Sequence, residues 1–175
     1  MFTSEKYGLL EFDDSIFRNL SFKNILKLFD KSAYKKRFRD MVILDCITFN
    51  IDRHQGNYGF VIDNDSFKIK AMAPIYDNNL CALTKISFKQ DESDILRDVA
   101  RVFSQGMGMR FLELVKYVMY QEMLEKLKLR AGEFRLDTSR LKGINDFDEN
   151  RSKWLEKLIN LQMIKIVESI GAEIR

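Results

Sequence analysis

The stretch "MVILDCITF", residues 41–49, most constrains what this chain can fold into. It is apolar nearly all round, so as a helix it must be buried on every side and the rest of the chain must wrap it. The half before it, residues 32–40, is amphipathic and basic. The spacing therefore predicts one helix over about Ser32–Phe49 that enters from the surface and ends in the core. Asp45, in the middle of the apolar half, requires a polar partner.

Composition agrees with a wrapped helical body. The chain has 175 residues with 8 Gly and 1 Pro, too few breakers for a many-turned β architecture. Fourteen Phe and a 46% hydrophobic fraction can fill a core and exclude a disordered chain. A single domain spanning 1–175 is expected. Cys46 and Cys81 lie in apolar surroundings without metal-ligand spacing, as buried free thiols of a reducing compartment do. No apolar run approaches a membrane span and no secretory signal opens the chain, so a soluble cytoplasmic protein with no membrane partner is expected.

Along the chain, 1–14 reads as a short extended segment. "SIFRNLSFKNILKLFD" has helical spacing, with Ser21 a candidate cap. "GFVID" and "FKIKAMA" alternate as strands around Asn64-Asp65, a hairpin within residues 60–73 that Pro74 ends. Helices follow over about 91–105, 109–131 up to Gly132, and 147–170 up to Gly171. Asp146 with Glu149 forms a candidate capping box for the last of them. Trp154, Leu155, Leu158, Leu161 and Ile164 give that helix an apolar face suited to core packing. Between Arg18 and Arg39 eight basic residues stand against one acid, Asp30. Such a run suits either a solvated helix face or a phosphate-facing patch.

The polar residues concentrate at the ends of the hairpin. "FNIDRHQGNYGF", 49–60, carries Asp52, Arg53, the chain's one histidine His54, and Asn57; Asp77 follows the second strand. A helix–loop–hairpin–loop path brings Asp52, Asn57 and Asp77 toward one end of the hairpin. Two carboxylates and an amide suit phosphoryl transfer: one carboxylate takes the proton of the attacking hydroxyl, the others hold Mg²⁺ on nucleotide phosphates. Structural roles are open for each: a turn cap for Asp52, a left-handed turn for Asn57, a helix cap for Asp77. His54 is expected to be structural, bonded to backbone or to a carboxylate such as Asp45. Arg53 reads either as a substrate contact or as an exposed arginine without a role. Asn78 is left between metal ligand and cap. Asp63 and Asp65 fit the hairpin turn and lack the rest of a calcium loop.

"IDRHQGNYGFVID…MAPIYDNN" resembles the C-terminal lobe of HipA-like serine/threonine kinases, bacterial and often toxin-type members of the protein-kinase-like superfamily. It is also similar to the loops of phosphatidylinositol-kinase-type enzymes, which share the D-x-H-x-x-N order. The resemblance covers about residues 34–80. It implies a mainly α protein-kinase-like C-lobe with a small β-hairpin, Asp52 as catalytic base, Asn57 and Asp77 as Mg²⁺ ligands on ATP, and His54 shaping the loop. It further implies transfer of the γ-phosphoryl group to a Ser/Thr hydroxyl of a protein. Residues 1–31 contain no G-x-G-x-x-G and no strand lysine, so the N-lobe is expected to lie outside this chain, and the isolated lobe to be a poor kinase. Its partners would then include a separate N-lobe chain or an antitoxin-like protein. The alternative is a non-catalytic toxin–antitoxin interaction module that binds a protein, or DNA through the basic segment; a lipid-kinase relative is a third reading.

Overall fold

The computed structural model describes residues 6–11, 20–78, 80–81, 83–84, 86–139 and 148–172. Strand β1 spans Tyr7–Glu11, and helix α1 spans Phe22–Asp30. Ser21 caps α1, its hydroxyl accepting from the Asn24 amide at 3.4 Å. Phe22, Ile25, Leu26 and Phe29 recur at i, i+3, i+4 and i+7, and all four are buried. They pack on helix α2, Lys35–Thr48, where the Phe29 and Phe38 rings stack with centroids 3.9 Å apart.

Helix α2 is the central element. Phe38, Met41, Val42, Ile43 and Cys46 are all at most 1% exposed, each apolar side chain of this kind stabilising the fold by about 1.5–3 kcal/mol. The helix begins at Lys35, three residues later than the spacing suggests, because Ser32 is spent on a turn: its hydroxyl donates to the Phe29 carbonyl and accepts from the Tyr34 amide. It ends at Phe49, in the left-handed region at φ 55°.

The hairpin is real but is part of a larger sheet. Strands β2, Gly59–Asp63, and β3, Ile69–Met72, pair antiparallel, and β1 pairs antiparallel along the other edge of β2. The sheet is thus three-stranded in the order β1-β2-β3, where sequence spacing had suggested a two-stranded hairpin. The reason is at Gly59. It lies opposite Glu11, and a Cβ there would collide with the Leu10 backbone, so glycine is what lets β1 approach.

Four helices complete the body: α3 Glu92–Arg101, α4 Phe111–Val118, α5 Gln121–Arg130 and α6 Glu149–Gly171. The single helix expected over 109–131 is broken at Met119 and Tyr120, both extended. The break turns Tyr120 onto α2, where its hydroxyl donates to Asp40 and accepts from Lys36 Nζ at 2.7 Å. Arg39 also reaches the freed Val118 carbonyl, at 3.4 Å. Helix α3 stops four residues short of the expected 105, because Gln105 leaves to donate its amide to the Ile51 carbonyl at 2.8 Å. Asp148 caps α6 by accepting from the Arg151 amide at 3.0 Å; Asp146, the expected cap, lies outside the described residues. In the expected apolar face of α6, Leu158 is buried and Ile164 is 36% exposed. Cys46 is buried, while Cys81 is only half-buried. Among the described residues, no helix is long and apolar enough to cross a membrane.

Candidate functional site

The left-handed Phe49 turns the chain out of α2 and points Asn50 back at the helix. Asn50, fully buried, donates from Nδ2 to Asp45 Oδ1 at 2.9 Å, and its own Oδ1 accepts from the Asp52 amide at 3.2 Å. The next residues form a tight turn. The Asp52 carbonyl accepts from the His54 amide at 2.8 Å and from Asn57 Nδ2 at 2.7 Å, and a one-turn 3₁₀ helix runs over Gln55–Asn57.

Arg53 organises this turn. Its side chain is 0% exposed and forms a two-pronged ion pair with Asp45, Nε to Oδ2 at 2.9 Å and Nη2 to Oδ1 at 3.0 Å. Nη1 donates to the carbonyls of Asn57, at 2.8 Å, and Tyr76, at 2.7 Å; Nη2 also donates to Asn78 Oδ1. One guanidinium therefore ties α2, the 52–57 turn and the 76–78 segment into a single unit. Tyr76 adds a second tie, its hydroxyl donating to the Gly56 carbonyl at 3.3 Å; burial first, then Glu11, pushes that phenol up to about 12, so it remains a donor. Burial also raises the pKa of the Asp45 carboxyl, and Arg53 and Asn50 pull it back only in part.

The partner of Asp45 is thus Arg53, not His54. His54 is exposed, and its Nδ1 accepts from the Gly56 amide at 3.1 Å, which shapes the turn locally. The reading of Arg53 as an exposed side chain is overturned as well: it is among the most deeply buried residues in the fold. Asn78 is tied into the same unit, its Oδ1 accepting from Arg53.

Asp52, Asn57 and Asp77 lie on the two segments that this unit joins. Asp52 is half-buried and Asp77 exposed, and neither carboxylate has a hydrogen bond or ion pair among the described residues. Asn57 is 3% exposed; with Nδ2 committed to Asp52, its Oδ1 is left as the amide oxygen available to a cation. Asp77 lies at φ 51°, a conformation that a non-glycine residue adopts at some cost and that recurs where side chains are aimed for function. Among the described residues no group of three His, Cys, Asp or Glu could by itself hold a metal, so a cation here would need the Asn57 amide and oxygens from a bound phosphate.

A third segment supports the turn from behind. Gly106 packs directly on the backbone between Arg53 and His54, where a Cβ would collide with the Arg53 carbonyl. The "GMGMRF" glycines belong to this contact and to a turn at Gly108, φ 66°, closed by a Ser104–Met109 bridge. Sequence spacing missed the buried role of Arg53 and the contact at Gly106. The signal for the first was present: an unpaired aspartate on a buried helix face, eight positions before an arginine.

No protein-family model and no curated protein matches this sequence. The fold itself is kinase-like. It is similar to the crystal structure of a proinflammatory kinase of Helicobacter pylori, CtkA, with a TM-score of 0.69 and 21% identity, over 99% of this chain and 74% of that one.

Proposed function

We propose that this chain is the catalytic lobe of an ATP-dependent serine/threonine kinase of HipA-like type. Asp52 accepts the proton of the attacking hydroxyl, and Asn57 Oδ1 and Asp77 hold Mg²⁺ on the nucleotide phosphates. The observation that carries this reading is the Arg53 knot, which fixes the backbone of Asn57 and the segment around Asp77 to the same buried group. Positioning and electrostatics supply most of phosphoryl-transfer catalysis, so a rigid frame under three oxygen donors is what such chemistry requires. The kinase-like fold supports the same reading.

His54 shapes the turn in this scheme and takes no proton. The N-lobe, with its phosphate-covering loop and lysine, is proposed to be supplied from outside residues 1–175. In the basic segment, Lys35 and Arg39 are engaged by Asp30, and Lys36 by Tyr120, Asp40 and Glu122.

The test is transfer of label from γ-labelled ATP with Mg²⁺ to a mixed Ser/Thr peptide pool. With an N-lobe supplied, wild type should label the peptides, and Asp52→Asn should lower the rate by roughly 10²–10⁴-fold, as loss of a general base does. Equal labelling by Asp52→Asn, or labelling of lipid vesicles in place of peptides, would overturn the assignment.

A further inference from the structure

On the face formed by α3, α4 and α6 lies a cavity of about 270 Å³ that the phosphoryl-transfer site does not use. Its wall is apolar, with Phe49, Val99, Phe111 and Leu158 among the lining residues. Two cations also line it, Arg110 at the start of α4 and Lys165 on α6. Both are exposed and neither makes an ion pair among the described residues. Among the described residues no acidic side chain lines the cavity, although acids and bases are nearly balanced over the chain, at 26 and 29. The one amide in the wall, Gln162, already donates to the Cys46 carbonyl at 3.0 Å.

We infer that this cavity binds a small amphipathic carboxylate, with its aliphatic tail on the apolar wall and its head between Arg110 and Lys165. An apolar cavity of roughly 150 Å³ accepts benzene, so one of this size takes a tail of about ten carbons. Unpaired cations beside an apolar wall attract an anion without first breaking an internal ion pair. The site also has an address in the fold: Phe49, which forms part of its wall, is the left-handed residue that turns α2 into the 50–57 loop.

Decanoate below its micelle concentration is the probe, titrated by calorimetry against the full chain, with decanol as its neutral counterpart. Decanoate should bind at or below about 1 mM. Arg110→Gln with Lys165→Gln should weaken it roughly tenfold, the worth of two solvent-exposed charge contacts, while leaving decanol unchanged. Ala100→Trp, which fills the cavity from its exposed rim, should abolish both. All these variants change exposed side chains, and far-ultraviolet circular dichroism establishes that each is folded. No decanoate binding, decanoate and decanol binding alike, or affinity unchanged by the charge or the tryptophan substitution would each overturn the inference.

Discussion

Two aspartates organise the hairpin, and opposite forces govern them. Asp63, at its tip, accepts from the Ser66 amide and hydroxyl, both at 2.9 Å, and pairs with Lys70 at 3.4 Å. Those bonds, Ser66 first, outweigh burial, and the carboxyl pKa falls to about 2. Asp45, behind the base of the hairpin, has a better partner in Arg53, yet burial outweighs the bonds and its pKa rises. The lesson is that a good ion pair does not make a carboxylate stabilising when both charges must leave water. The Arg53–Asp45 pair serves position more than stability. It is the price of holding two loops at one point.

The sharpest way to break this contrast is to remove one charge from the buried pair. Asp45→Ala strands the Arg53 guanidinium in the core and should cost roughly 3–5 kcal/mol in urea unfolding. Replacing both partners, Asp45→Leu with Arg53→Met, should recover most of that loss. It should still leave the 52–57 turn and the 76–78 segment joined only through the Tyr76–Gly56 bond, so stability returns and nucleotide binding does not. A double variant that regains both would mean that the pair positions nothing.

Gly106→Ala acts on the same unit from behind and should cost about 1–3 kcal/mol as overpacking against the Arg53 backbone. Amide exchange should quicken at 53–57 and stay slow in the buried stretch of α2. At the hairpin tip the effects are smallest. Ser66→Ala keeps the amide bond and loses only the hydroxyl bond, so it should raise the Asp63 pKa part of the way from about 2 toward 3.8, as read by carboxyl chemical shifts, with little change in global unfolding. The signs of the two titrations differ. The Asp63 contribution is present above pH 3.8 and is lost as pH falls toward 2. The Asp45 contribution runs the other way, weakening as pH rises past 3.8, because its folded pKa is the higher one.

Much of the fold was legible in the sequence because it rests on periodicity. The α1 face from Phe22 to Phe29, the apolar end of α2 and the Asn64-Asp65 turn all follow from spacing that local physics enforces. What spacing could not give was set by distant partners. Strand β1 pairs with a strand some fifty residues later through the room left at Gly59. The break before Tyr120 answers to Lys36 and Asp40 on another helix. In the candidate site, Asp52, Asn57 and Asp77 could be proposed as donors from their order along the chain. The frame beneath them could not: Arg53 and His54 are adjacent polar residues, and only the path of the loop decides which one turns inward.

If the Arg53 knot holds Asn57 and Asp77 as a Mg²⁺–nucleotide site, calorimetric titration of ATP with and without Mg²⁺ will show it. Wild type should bind ATP in a Mg²⁺-dependent way that is lost in Asp77→Ala. ATP binding indifferent to Mg²⁺ and to Asp77, or no binding even with an added N-lobe, would contradict it.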